Sequence, residues 1–480
     1  MWGNTPSRNM VSSERGLPAR FDPGAGLHVR WTAKLGTESH SSPVVANGRV
    51  LIGTNNGDPK DPKHQGDCGV LMCLDEKDGR LLWQLVVPKR DEDRFYDWPN
   101  SGMSSPATVE GERVYMVSNR GEAMCLDLRG LANGNDGPYK DEAAHMAPKG
   151  VTPWELGPLD ADILWIYSLV EEGGIWPHDA AHSSFLVRGP HLYLNSGNGV
   201  DNTHKAIRRP DAPSLVVLDK ATGRLLACDD EHLGPRVFHN TWSAPSTGVV
   251  GGRELIFFAG GDGVIYAFEP LPLDAPIPTD QDPAKVPKLK RVWKFDLDPT
   301  GPKENVHRYN SNRKESPSDV FGMPVFFKNQ IYVAGGGDIW WGKNEAWLQC
   351  IDATKPGGDI TTNGLVWKYP LEKHVMGTPA VTDDLVYITD CGYLIHCVDR
   401  LSGKRVWTQE TKGEIWASPV VADGRVYVGT RRGDFWVLRA GREKEVLHTV
   451  ELGAPISATV AAANGTLYVA TMDRLYAFGE

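Results

Sequence analysis

Six histidines and a group of tryptophans are the residues through which this 480-residue chain could do chemistry. His40, His178, His182, His239 and His374 each stand just before a short run of small and apolar residues. His204 lies in a long loop after such a run. Imidazoles brought to one place from separate segments can hold a transition metal or an anion; they can also fill space and hydrogen-bond to backbone. The candidate transition-metal set is His178, His182, His239 and His374. His178-Asp179-x-x-His182 looks like a metal pair, but that spacing aligns two rings only on a helix, and the segment reads as a loop. Trp98, Trp176, Trp242, Trp340, Trp341 and Trp416 fall in the same kind of loop, where a flat ring can stack on a ligand face. Arg431, beside Arg432 in a turn, could hold a carboxylate through two parallel hydrogen bonds. The Gly-rich runs at Asp262 and Asp338 read as turns, since no helix start follows to hold an anion.

The elements that must position these residues come from a repeat. A strand of the form apolar-Tyr-apolar, followed by a small-residue turn, recurs eight times, as in RVYMVSNRG at Arg113–Gly121 and RVYVGTRRG at Arg425–Gly433. Such a period marks a modular fold. Each copy opens with a small-residue strand, the starts lying near 41, 104, 182, 243, 322, 377, 417 and 457. Small residues suit strands that converge on a narrow axis. A third strand ends in apolar-Asp, and an Asp-x-x-x-Gly-x-x-x-Trp phrase at Asp75–Trp83 and Asp399–Trp407 leads into a fourth. Trp83, Trp165, Trp293, Trp367 and Trp407 end that fourth strand, where an indole can dock between sheets.

The last copy stops after three strands, and an orphan strand at 28–35 carries Trp31. Pairing the two would close a ring and remove an exposed edge. The expectation is all-β: one propeller over 1–480, with eight four-stranded antiparallel blades, closed by strand 28–35 on the carboxy-terminal blade. Loops entering the inner strands, and loops joining second to third strands, would share one face as a funnel. Insertions 129–162 and 270–290 would leave from the opposite face.

Composition narrows the function. A net charge of −10 argues against nucleic acid, whose phosphates demand a basic surface. No apolar run is long enough to cross a bilayer as a helix. Met1-Trp2 is followed by no basic and apolar leader, which reads as a cytosolic or a processed chain. Cys73, Cys125, Cys350 and Cys397 occupy one place in their repeats, where other copies carry Val217, Phe268 or Val437 at or beside it. That is the signature of a packed strand position rather than of disulfides.

These phrases resemble the PQQ-binding-like β-propeller repeat family over nearly the whole chain. The family includes quinoprotein alcohol dehydrogenases and the propeller lipoprotein of outer-membrane barrel assembly, and the chain looks most like secreted propellers of planctomycete type. The resemblance implies a periplasmic or secreted location and, as cofactors, PQQ with Ca²⁺. Asn198 matches the Gly-Asn step that supplies an amide oxygen to Ca²⁺ in the dehydrogenases, and Asp201 or Asn202 would add ligands. Asp262 is the positional candidate for the catalytic acid. Asn198, Trp242, Trp340, Trp416 and Arg431 are the cofactor-contact candidates. The chain departs from the dehydrogenases in having no adjacent Cys pair and no Cys-x-x-Cys-His haem site. The first expectation is therefore a scaffold that binds a small molecule or protein in a polar and aromatic axial funnel. The alternatives are a PQQ- and Ca²⁺-dependent oxidoreductase acting on an alcohol or sugar, and a hydrolase or lyase using a His-bound transition metal.

Overall fold

The computed structural model describes residues 1–90, 98–180, 183–240 and 242–480. His182 lies outside the described residues. Among those described, eight sheets form, seven of them built from four strands in chain order, each antiparallel to the next, and one of these adds a short parallel fifth strand. Blade 1, for example, runs Val44–Ala46, Arg49–Asn55, Cys68–Asp75 and Leu81–Pro88. Blade 8 joins Ala461–Ala463, Thr466–Ala470 and Arg474–Phe478 to the amino-terminal strand Val29–Lys34. Trp31 stands opposite Ala477 in that sheet. The molecule is an eight-bladed propeller closed as the orphan strand requires.

The repeat chemistry explains the packing. The apolar core is divided largely into layers between two neighbouring blades, as where Tyr115 and Trp165 of blade 2 meet Phe185 and Leu194 of blade 3. Cys73, Cys125, Cys350 and Cys397 each face the tryptophan of their own blade across the outer pair of strands. All seven cysteines are buried free thiols. Burial pushes Cys73, Cys125, Cys350 and Cys397 up to about 12, so they pack as small hydrophobes. The indole N–H groups of Trp83, Trp165, Trp367 and Trp407 donate to backbone carbonyls of the next blade, at 2.9, 3.2, 2.9 and 2.9 Å. Gly130, Gly223 and Gly403 lie under three of these rings at positive φ, and a Cβ there would strike the indole at 2.4–2.7 Å.

Small residues at the axis have a second use besides size. Backbone N–H groups before the inner strands donate to hydroxyls of the neighbouring blade. Met323 donates to Thr378, Thr378 to Ser418, Ser418 to Thr459 and Thr459 to Ser42, all at 2.9–3.1 Å. The inner edges are paired by a segment the sequence did not mark. Residues 6–12 run inside the ring. Pro6 O accepts from Thr247 N, Ser7 O from Phe326 N, and Met10 O from Val421 N, so the segment visits blades 4, 5 and 7 in turn. Between them, the Asn9 amide bonds both backbone groups of Val381 in blade 6 at 2.8 Å. Arg8 is fully buried, and its guanidinium donates to the carbonyls of Trp2, Ser184, Phe185 and Pro245.

The excursions run back along outer edges of the blades. Asp160 bridges in parallel to Gln84 of blade 1, Lys288 to Cys228 of blade 3, and strand Gly358–Asp359 pairs with Trp293–Lys294 of blade 4. Each supplies a partner to an outer strand that would otherwise present bare N–H and C=O groups. None of the helices among the described residues is long and apolar enough to cross a membrane.

Candidate metal centre at the axial mouth

Three neighbouring blades build the centre of the funnel. The loop into blade 3 carries His178, the loop between its second and third strands carries His204, and the loop into blade 4 carries His239. These loops are stitched by backbone bonds: His178 N donates to Gly197 O at 3.1 Å, and Val200 N to His239 O at 3.0 Å. The Asn240 amide donates to His178 O, and Asn310 donates to His204 O at 2.9 Å. The loops are thus held by one another rather than by any sheet. Asp179 and His204 adopt left-handed φ of 51° and 55°. Non-glycine residues take such angles where surrounding structure enforces them, and these cluster at functional sites.

Ring nitrogens of His178, His204 and His239 all lie within 4.8 Å of one another. His178 and His239 are buried, and His204 is half-buried. Asp338, in the turn between the second and third strands of blade 5, organises the group from behind. One of its oxygens accepts from Trp340 N and Trp341 N at 2.8 and 2.6 Å; the other meets His239 Nδ1 at 2.8 Å. His239 Nε2 has no hydrogen-bond partner among the described residues. A carboxylate behind one nitrogen fixes the ring plane and leaves the other nitrogen aimed at the cluster. Burial disfavours a charge on His239, but Asp338 outweighs it and raises its pKa. At His204 burial, with His239 adding, lowers the pKa. Burial and the Asp338 charge hold the neighbouring Asp319 carboxyl well above the usual range.

The cluster opens into a cavity of about 330 Å³ walled by Trp98, Trp340, Trp341 and Trp416. Beneath it, Trp242, Phe321, Trp340 and Trp416 narrow the axis to a throat that Trp2 also lines. Trp242 lies 5.8 Å from Trp340, and Trp340 5.9 Å from Trp416, edge to face. The Arg431 guanidinium sits 4.3 Å over Trp416. On the same rim His40 stacks on Trp416, ring centroids 6.3 Å apart, and its Nε2 lies 2.8 Å from Glu38 Oε1.

The expected residues divide accordingly. Trp242, Trp340, Trp416 and Arg431 all line the mouth or throat. His178 and His239 enter the three-imidazole cluster, and His204 completes it. His374 is elsewhere: its Nε2 is 2.9 Å from Lys343 O, and burial lowers its pKa. Asn198 is buried with its amide used at both ends, accepting from Trp176 N at 3.1 Å and donating to Arg209 O at 2.9 Å. Asp201 turns back on Thr203, accepting from its N–H and hydroxyl at 2.9 and 2.6 Å. Asp262 is tied to Tyr266 OH at 2.8 Å and Arg236 Nε at 3.1 Å. Asn198, Asp201 and Asp262 are thus each engaged in hydrogen bonds that build their own loops.

A family model described as outer membrane protein assembly factor BamB matches residues 11–130 and 344–446. The match covers less than half of the chain and marks a likeness to the PQQ-like β-propeller repeats. A quinohemoprotein alcohol dehydrogenase of Comamonas testosteroni is 31% identical over 98 residues, which are 18% of this chain and 14% of that one. The match thus spans a small part of the relative's length. Among solved structures, a europium-containing methanol dehydrogenase superposes with a TM-score of 0.60 at 12% identity, covering 100% of this chain and 97% of the other. BamB from Moraxella catarrhalis gives 0.52 at 11% identity, covering 94% and 96%. At these identities the likeness is one of fold, and the propeller hosts more than one function.

Proposed function

We propose that this PQQ-like propeller binds a first-row transition metal at its mouth and acts there on a small molecule, as a metal-dependent hydrolase or lyase. One observation carries the reading: three imidazoles from separate loops converge, and the one backed by Asp338 keeps a bare Nε2 among the described residues. Imidazole donors suit Zn²⁺, Cu²⁺ and Fe²⁺. With three protein ligands, such a metal keeps a position for water or a ligand oxygen and makes that water more acidic. The chain's own residues supply the surroundings. Asp338 fixes His239. Asp179, its Oδ2 3.3 Å from His178 Nε2, brings a carboxylate to the mouth. The indoles wall off water, and Arg431 offers a guanidinium to an anionic group.

The mouth fits PQQ with Ca²⁺ less well. A hard cation takes about six to eight oxygens, while the centre of the cluster is three imidazole nitrogens. A protein ligand docked on the same rim is the second reading, supported by the family's assembly-factor member. A periplasmic or secreted location rests on the family alone.

The test is calorimetric titration of metal-stripped protein with Zn²⁺, run beside a titration with PQQ and Ca²⁺. One equivalent of Zn²⁺ bound by the wild type and none by a folded His239→Ala variant supports the proposal. Zn²⁺ binding that ignores His239, or PQQ binding with turnover of an alcohol, removes it.

A further inference from the structure

The turn that closes each blade's outer pair of strands uses one backbone bond throughout. The residue ending the third strand donates its N–H to the carbonyl of the residue before the fourth. Asp75 donates to Arg80, Asp219 to Arg224 and Asp399 to Lys404, each at 2.8 Å. Glu269 donates to Lys290 at 2.9 Å, and Arg439 to Glu445 at 3.0 Å. In all five blades the two side chains carry opposite charge. Several pair directly: Arg80 lies 3.7 Å from Asp75, Lys290 2.8 Å from Glu269, and Arg439 bonds Glu445.

Blade 2 keeps the backbone bond and reverses the charge. Asp127 N donates to Asp162 O at 3.0 Å, so two carboxylates face each other. A third, Asp136, comes from the 129–162 excursion, and one oxygen from each of the three lies within 4.8 Å of the others. The nearby cations are spent on Asp127: Arg113 at 3.1 Å and Arg129 at 3.7 Å. Asp127 also accepts from Arg129 N, and Asp136 from Asn133. Asp162 is fully buried, and neither of its carboxylate oxygens has a hydrogen-bond partner among the described residues. A buried carboxylate this poor in donors takes either a counter-charge or a proton, and burial with the neighbouring carboxylates pushes Asp162 up to about 6.

We propose that this end of blade 2 is a Ca²⁺ site formed by Asp127, Asp136 and Asp162. The donors are all oxygen, which selects a hard cation. Their irregular arrangement, with Asp136 exposed so that water completes the shell, suits Ca²⁺ better than the strict octahedron of Mg²⁺. The ion supplies the positive charge that Arg or Lys supplies in those five blades; in blade 5 Asp352 donates to Gly364 and in blade 8 Gly479 donates to His28. It also clips both ends of the excursion, whose Asp160 holds Lys63 of the blade 1 mouth-side loop at 2.7 Å. Its His145 stands 3.0 Å from Glu122 at the mouth-side end of blade 2. The site is separate from the histidine cluster and stands or falls independently of it.

The experiment is titration of EGTA-treated full-length protein with CaCl₂ and, separately, MgCl₂, with thermal unfolding and limited proteolysis of the excursion as readouts. One Ca²⁺ is expected to bind, to raise Tm and to slow cleavage within 129–162. Asp136→Asn, at an exposed position, should weaken Ca²⁺ by about tenfold through loss of one charged ligand. Asp162→Asn should abolish binding, and His239→Ala should leave it unchanged. Absence of Ca²⁺ binding by the wild type, equal response to Mg²⁺, or undiminished binding in Asp136→Asn would each overturn the site. So would a gain of stability in calcium-free Asp162→Asn with no calcium response in the wild type, which would mark Asp162 as a protonated acid.

Discussion

Two buried histidine–aspartate pairs occupy related places in neighbouring blades and have different fates. In blade 6, Asp390 lies in the turn between second and third strands and meets His396 Nε2 at 2.9 Å, while Tyr369 OH stands 3.0 Å from Nδ1. Both ring nitrogens are used, and Asp390 also accepts from the backbone of Glu372, Gly392 and Leu394. In blade 5, Asp338 lies in the corresponding turn, but its histidine comes from a loop of the blade before. There the ring keeps one nitrogen free of partners among the described residues and faces two more imidazoles. The same dyad is closed when the histidine belongs to the sheet and open when it belongs to the mouth. Satisfied, it stabilises a blade; half-satisfied, it orients a ligand atom.

The strongest way to break this comparison is to remove each histidine. His239→Ala should lower Zn²⁺ affinity by at least about 100-fold, since a ligand is lost. His396→Ala should leave Zn²⁺ binding intact and cost about 3 kcal/mol, because it strands Asp390 in the interior; chemical denaturation measures it. Next, Asp338→Asn should weaken Zn²⁺ by about 10–100-fold while the imidazoles stay in place.

The pH dependence sharpens the contrast. Because the His239 pKa is raised, its proton competes with metal further up the scale than an ordinary imidazole's would. Zn²⁺ affinity measured by calorimetry should therefore fall as pH drops through neutrality, and Asp338→Asn should move that fall to lower pH.

The smallest effect concerns a third pair. Burial acts to raise Glu122, but His145, Arg120 and Ser118 outweigh it and bring the carboxyl from 4.5 to about 2. A depressed carboxylate contributes stability that is present above its unfolded value and is lost as pH falls through its folded one. The contribution of Glu122 should thus fade between pH 4.5 and about 2. Glu122→Gln should flatten the acid arm of the stability curve in that window and leave Zn²⁺ binding alone.

The blade grammar was legible because it is local: a Tyr strand, an Asp–Gly turn and a docking Trp each announce their own structure within a few residues. Ring closure followed from one orphan tryptophan, Trp31. The mouth was legible in part. His178, His239, Trp242 and Trp416 precede inner strands, so chain order alone assigns their face. His204 was visible as a loop residue, but its place in the cluster depends on a left-handed turn and on Asn310 from a distant loop. Asp338 read as an ordinary glycine-rich turn, since its partner lies a blade away. Residues 6–12 show no strand pattern because they act mainly through backbone carbonyls, the Asn9 amide and the Arg8 guanidinium. Asp127, Asp136 and Asp162 are scattered through an excursion whose fold no period reports.

The central claim is that the loops of blades 3 and 4 make a nitrogen-donor metal site at the axis. Crystals grown with one equivalent of Zn²⁺ and measured at the zinc absorption edge test it directly. The account predicts one strong anomalous peak about 2.0–2.1 Å from ring nitrogens of His178, His204 and His239. A mouth without a peak, or zinc bound on other side chains, would contradict it.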